Sequence, residues 1–377
     1  MTQRKFPAVF MRGGTSKAIM FHARDLPRER AQWNAIFLAA MGSPDPYGRQ
    51  LDGMGGGVSS LSKVCVIAPS ARADADIDYT FAQVQVKEAR VDYGSNCGNM
   101  SSAVGPFAVE EGLVAAADGD TTVRIFNTNT RKLIHSTFAV RERRAVVEGE
   151  LAIPGIAGSG APIRLDFIEP GGATTGKLLP SGRATDTLDI PGLGRIEMSM
   201  IDAANACVFV AADALGLKGT EMPDELERNS AVMEQLAAIR LYASVAMGIS
   251  RTLDEARAKK AVPFIGFVSP PQDALTLAGD ALAAEAADLT VRMLSNGQPH
   301  RALPLTASLC AAVAARIEGS IVSRVTRRDA ADRLRLAMPS GVLTVGAQTR
   351  CSNGAWQVAS GSFYRTARRL FEGCVYA

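Results

Sequence analysis

The stretch "DYGSNCGNMSSAVGPFAVEEGLV", Asp92 to Val114, sets Cys97 between asparagines and glycines directly ahead of an Ala/Val-rich run. The run reads as a helix closing at Gly112, and the residues before it read as an irregular corner after a strand. A helix start carries unpaired backbone N–H groups and the positive end of the dipole, so the corner is a socket for an anion. Asn96 and Asn99 are cap candidates, and Gly98 lets a ligand approach the backbone. A thiol here would have its thiolate stabilised, which suits Cys97 to work as an acid, base or nucleophile. The alternative is a tight strand-to-helix turn with an inert thiol.

Working outward, the same pattern occurs a second time. "DLTVRMLSNGQPHRALPLTASLCAAVAARIEGSIV", Asp288 to Val322, echoes the segment that ends at Val114. A shift of 207 residues aligns Ser101 with Ser308, Glu111 with Glu318 and Gly112 with Gly319. "IEMSMIDAANACVFVAADALG", from Ile196, likewise parallels "AVFMRGGTSKAIMFHARDLP", from Ala8, each a strand, a small-residue turn and a strand. Two halves that each deliver strands to a helix start predict a duplicated α+β fold with a cleft between the copies. The expected domains are residues 1–182 and 183–365. The second carries a helical insertion over 223–260, and a tail of about 366–377 packs back on the first. The Gly/Pro-rich "EPGGATTGKLLPSG", Glu169 to Gly182, reads as the linker.

Under that shift the partner of Cys97 is Pro304. A racemase working with one thiol on each face of its substrate therefore lacks its second thiol here. The other reactive candidate is Lys63, which follows "GMGGGVSSLS" and opens the apolar run "VCVIA". Partial burial there favours the neutral amine that a base requires, whereas an ordinary strand-end lysine is solvated. The corners "RGGTS" and "GGGVSS" offer amide and hydroxyl donors, among them Thr15, Ser16, Gly56 and Ser60, to a substrate with several carboxylates. One amine and one thiol suit the movement of a proton between carbons of an unsaturated acid.

Composition narrows the field. The 377 residues are 47% hydrophobic and 21% charged with a net charge of +3, which predicts an ordinary folded protein and no nucleic-acid partner. No apolar run approaches the roughly 18 residues that span a bilayer. The six cysteines have no CxxC spacing and the N-terminus does not read as a secretory leader, so the expectation is reduced thiols in a cytoplasmic protein. Cys65, Cys207 and Cys310 sit in apolar runs and read as core. Three scattered histidines give little material for a metal site or a triad, and neither metal nor organic cofactor is expected.

The segments "FMRGGTSK", "MGSPDPYGRQLDGMGGG", "SSLSKV", "DYGSNCGNMSSAVGPFA", "VRMLSNGQPHRA" and "RTARRLFEG" together resemble the PrpF family, from Phe10 almost to the C-terminus. Members include 2-methylaconitate cis-trans isomerases, methylitaconate delta-isomerases and 4-oxalomesaconate tautomerases. The resemblance implies the diaminopimelate-epimerase-like fold, two α+β domains each wrapping strands around a central helix with the active site between them. It implies that Lys63 and Cys97 are catalytic. It further implies that Thr15, Ser16, Gly98 and Asn99 hold substrate carboxylates, and that His300 and Arg301 contribute from the opposite domain. Gly56, Ser60 and Asn96 complete the expected binding set. The Cys97 segment reads closer to the tautomerase branch, which favours 4-oxalomesaconate over 2-methylaconitate or methylitaconate. A diaminopimelate-type epimerase, a non-enzymatic accessory protein to an iron–sulfur dehydratase and a plain carboxylate-binding protein are the alternatives. A homodimer is possible.

Overall fold

The computed structural model describes residues 3–93, 96–259, 262–295, 297–327 and 333–377. Contacts divide the chain into two units, Met1–Asp166 with Tyr364–Ala377, and Phe167–Phe363.

In the first unit, β1 (Lys5–Gly13) and β2 (Ser16–His22) form an antiparallel hairpin closed by the pair Gly13↔Ser16. Gly14 turns the corner at φ +49°, backbone that glycine adopts without strain. Helix α1 (Trp33–Met41) ends on Gly42 in the left-handed region and buries Trp33, Ile36, Phe37 and Ala40. Strand β3 (Lys63–Pro69) runs parallel to β2 with Ala18 opposite Lys63, and β4 (Ile77–Val84) returns antiparallel with Gln83 opposite Lys63. Helix α2 (Gly98–Glu110) follows, then β5 (Gly119–Asn127), parallel to β4, and β6 (Lys132–Arg141), antiparallel to β5. The C-terminal strand Ala367–Tyr376 pairs antiparallel with β1, from Lys5↔Tyr376 to Gly13↔Ala367.

Every residue of α2 from Met100 to Val109 is buried, so the helix is a central post rather than an amphipathic surface element. Its small residues allow that. A Cβ on Gly105 would lie 2.6 Å from Ser136 Oγ and 2.7 Å from Phe138 Cε1 on β6, so only glycine admits the strand this close.

The second unit repeats the order. Strands β7 (Gly194–Ala203) and β8 (Asn205–Ala211) form the hairpin, and a helical segment follows: α3 (Pro223–Arg228), α4 (Ser230–Ala246) and α5 (Leu253–Ala258). Val232, Leu236, Ile239 and Ala243 form the apolar stripe of α4, which packs into one core with Val208 and Val210 of β8. Strand β9 (Phe264–Ser269) is parallel to β8 and β10 (Leu289–Ser295) antiparallel to β9. Helix α6 (Leu305–Arg316), buried from Ala307 to Ala314, precedes β11 (Arg333–Met338), parallel to β10, and β12 (Gly341–Ser352), antiparallel to β11. Each unit is thus a hairpin, a parallel third strand, an antiparallel fourth, a buried helix, a parallel fifth and an antiparallel sixth.

The division between units falls at 166/167, ahead of the expected boundary at 182. The Gly/Pro-rich 169–182 segment does not hang free. Asp202 Oδ2 on β7 accepts from Thr174 N, Thr175 N and Thr175 Oγ1 at 2.6–2.9 Å, and Gly172 N donates to Asp202 O. A buried carboxylate gathers the would-be linker into the second unit.

Candidate active site

Cys97 occupies the N-cap position of α2, in extended backbone at φ −111°, ψ 99°. Its carbonyl accepts from Ser101 N at 2.9 Å and Ser101 Oγ at 3.1 Å. Cys97 makes no side-chain capping bond, and among the described residues Asn96 and Asn99 turn their side chains to other partners. Asn96 Oδ1 instead accepts from Ser101 Oγ at 3.2 Å and Asn127 Nδ2 at 2.9 Å, which pins the corner to the end of β5. The first turn leaves the N–H groups of Gly98 and Asn99 without intrahelical acceptors, as at any helix start. Gly94 and Ser95 of this motif lie outside the described residues.

The Gly-Gly turn packs against this helix start. A Cβ on Gly13 would come within 2.6 Å of Asn99 O, and one on Gly14 would strike Asn99 Oδ1. Asn99 Nδ2 donates to Thr15 Oγ1 at 3.0 Å, and Asn99 Oδ1 accepts from Arg365 Nε at 3.1 Å. Thr15 is exposed and Ser16 buried. Thr15, Asn99 and Gly98 therefore stand together at one helix tip.

Lys63 opens β3 and is only 8% exposed. Its Nζ donates to Gln83 Oε1 at 2.5 Å and lies 5.1 Å from the centre of the Phe81 ring. Ahead of it, Gln50 knits the glycine loop: its side chain accepts from Gly57 N and Ser62 Oγ and donates to Ser43 Oγ. A Cβ on Gly56 would overlap Leu61, so that glycine serves loop packing, while Ser60 lies within the short helical turn Ser59–Leu61 just before Lys63.

Cys65 follows Lys63 on β3. This fully buried thiol is pushed up by burial first and by the neighbouring charge of Cys97 next, with Lys63 and a hydrogen bond to Tyr79 Oη acting the other way. Tyr79 is raised by burial, and then by Cys65 and Cys97. Gln83, paired with Lys63 on one side, pairs with Asp92 on the other, so the chain that leads to Cys97 leaves the sheet next to the strand that partners the lysine. An amine, a thiol and a helix start are the parts needed to move a proton on a carboxylate-bearing carbon.

The second unit repeats the scaffold without these groups. Pro304 is the N-cap residue of α6, and its carbonyl accepts from Ser308 N at 2.9 Å and Ser308 Oγ at 3.0 Å. Phe264, opposite Cys207, holds the place in β9 that Lys63, opposite Ala18, holds in β3. Within this unit His300 Nε2 lies 2.8 Å from Ser295 Oγ, and burial holds the imidazole below its ordinary range. Arg301 Nη2 donates to Asp224 Oδ1 at 2.8 Å in an exposed pair.

Sequence reasoning missed Gln83, Arg12 and Arg365. Arg365 is 7% exposed and burial pulls its guanidinium down to about 10. Arg12 Nη1 clasps Gly14 O, Thr366 O and Thr366 Oγ1, which fixes the turn that carries Thr15. The signal lay in "RTARR", quoted for the resemblance but given no role. A cavity of about 1060 Å³ opens at the far end of α2, lined by Glu110, Glu111, Arg368 and Arg369. There Arg369 bridges Glu110, Glu111 and Glu372, so these three acids are already matched. Among the described residues no group of three or more His, Cys, Asp or Glu side chains could hold a metal ion.

Two repeated α+β units, each built around a buried helix, define a diaminopimelate-epimerase-like protein. A solved hydroxyproline epimerase from Agrobacterium vitis shares that fold at 12% identity and a TM-score of 0.51, covering 99% of this chain and 93% of its own. The chain belongs to the PrpF family, whose model, described as "PrpF protein", matches residues 3–377. It is 38% identical to the 2-methyl-aconitate isomerase of Shewanella oneidensis (99% of this chain, 97% of the relative). It is 40% identical to the 3-methylitaconate isomerase of Eubacterium barkeri (99% and 97%) and 37% identical to the 4-oxalomesaconate tautomerase of Pseudomonas putida (100% and 97%). The crystal structure of a methylitaconate-delta-isomerase superposes with a TM-score of 0.93 at 39% identity, over 100% of this chain and 96% of that one. The protein is an isomerase. No helix of the described residues is long and apolar enough to cross a membrane.

Proposed function

We propose that the protein shifts a proton, and with it a double bond, in a small unsaturated di- or tricarboxylate, with Lys63 and Cys97 as its acid–base pair. The observation that supports the reading is that Gln83 of β4 pairs with the buried Lys63 on one side and with Asp92 on the other, the strand residue from which the chain runs to Cys97 at the start of α2. Neutral Lys63 takes a proton from a carbon flanked by a carboxylate and the double bond, and becomes an ammonium. The electron pair enters a dienolate, whose oxygen is held by the amides of Gly98 and Asn99. Thr15 and Ser16 bind a second carboxylate. Cys97 delivers a proton to the distal carbon, which moves the double bond; rotation within the delocalised intermediate exchanges cis for trans instead.

The relatives' names cover 2-methyl-aconitate, 3-methylitaconate and 4-oxalomesaconate at nearly equal identity. The wording of the Cys97 segment puts 4-oxalomesaconate first among them. An epimerase that uses a thiol on each face is disfavoured because Pro304 has no side-chain proton to give. The test is a panel of unsaturated di- and tricarboxylates incubated with the purified protein in heavy water and followed by proton NMR. One acid should show bond migration with deuterium at the newly protonated carbon. No change in any acid of the panel would contradict the reading.

A further inference from the structure

We infer that Gln83 is a positioning residue for the reaction, holding the amine of Lys63 in the orientation that a base needs. The inference rests on the reading of Lys63 as the base. Gln83 stands directly opposite Lys63 in the β3–β4 register, and its Oε1 accepts from Lys63 Nζ at 2.5 Å. Its own orientation is set from the other end: Nε2 donates to Ser59 O and Ser62 O, both at 3.0 Å. The two carbonyls can only accept, so a flipped amide would set its oxygen against theirs, and Oε1 is committed to the lysine. Ser59 and Ser62 in turn belong to the loop knitted by Gln50, since Ser62 Oγ donates to Gln50 Oε1 at 2.6 Å. A chain of neutral hydrogen bonds thus runs from the glycine loop to the amine.

The neutrality is the point. A buried lysine usually meets a carboxylate, which would hold it as the ammonium and leave no lone pair for a proton. An amide oxygen accepts a hydrogen from either –NH₃⁺ or –NH₂ and so restrains the nitrogen in both states of the cycle. The Phe81 ring, 5.1 Å from Nζ, adds a weaker attraction for the charged form that arises once the proton has been taken.

The test compares rate–pH profiles of the wild type, Gln83→Glu and Gln83→Leu on the acid turned over by the wild type. With glutamate, an opposite charge at this range moves the rise in kcat/KM upward by about one to three pH units. With leucine the ammonium loses its acceptor, so the rise moves downward, while kcat falls about 10²-fold as the nitrogen loses its aim. KM changes little in both. Thermal melts confirm that each variant is folded, and the leucine variant keeps the residue's bulk without its polar atoms. Shifts of opposite sign support the role. Profiles that coincide with the wild type in both variants overturn it, even where Lys63→Ala is inactive; an active Lys63→Ala overturns instead the reading of the base on which the inference stands.

Discussion

Cys97 and Pro304 hold one position in two copies of a scaffold: each is the last extended residue before a buried helix, and each offers its carbonyl to the N–H and hydroxyl of a serine four residues on. The backbone has been duplicated and the chemistry has not. The paired serines make this testable. Ser101→Ala removes a buried hydroxyl that donates to Cys97 O and Asn96 Oδ1, and Ser308→Ala one that donates to Pro304 O, so each should lower stability in urea by about 1 kcal/mol or more. Only Ser101→Ala should also lower kcat/KM, because that serine fixes the corner carrying Cys97. Equal losses of activity in both variants would contradict the division of labour between the units.

Cys97 and Cys65 should differ sharply in reactivity. Cys97 is partly exposed, whereas Cys65 is sealed in the core and its thiol is pushed up by burial. Iodoacetamide on the native protein should therefore modify Cys97, with loss of activity, and reach Cys65 only after unfolding. Cys351 is exposed and should react without affecting the rate. Peptide mapping by mass spectrometry reads the three sites separately, and a saturating substrate should protect Cys97 alone.

Gly13 is a structural requirement of the helix tip. Its φ is not in the left-handed region, so the penalty for a side chain comes from contact alone: a Cβ would lie 2.6 Å from Asn99 O and 3.1 Å from Met100 Cα. Gly13→Ala should destabilise the protein by about 1–3 kcal/mol and raise KM, since the helix start must shift. Calorimetry and steady-state kinetics on one preparation check both effects.

Acid should weaken the far end of α2. Burial alone would push the Glu111 carboxyl up, but its hydrogen bonds with His22 and Arg369 outweigh that and hold it below its ordinary 4.5. A carboxyl lowered in the fold contributes stability that is complete above 4.5 and is lost as pH falls through the folded-state midpoint. The stability gap between wild type and Glu111→Gln should thus be widest near neutrality and close on acidification below about 4.5. A gap unchanged from pH 7 to pH 3 would show that the carboxylate contributes nothing.

Much of this was legible in the chain. The helix starts at Cys97 and Pro304 emerge from glycine, proline and apolar patterning, and the 207-residue shift that aligns Ser101 with Ser308 matches their identical hydrogen bonds. Lys63 could be singled out because a lysine opening an apolar run is a local anomaly. Its partner Gln83 could not, because the contact spans 20 residues and depends on the β3–β4 register, which hydrophobic alternation leaves open to a slip. Arg365 is 266 residues from Asn99, and nothing local marks its guanidinium as buried. The segment 169–182 has the composition of a linker, but composition is blind to a distant carboxylate such as Asp202 that satisfies its amides.

The most direct measurement is the exchange of a substrate C–H for deuterium in heavy water, followed by NMR, for the wild type, Lys63→Ala and Cys97→Ala. The account predicts rapid exchange in the wild type and, in Lys63→Ala, a loss of about 10²–10⁴-fold while the variant melts like the parent. Cys97→Ala should still wash deuterium into the donor carbon yet yield little product with a shifted double bond. Undiminished exchange in a folded Lys63→Ala protein would contradict the claim that this amine removes the proton.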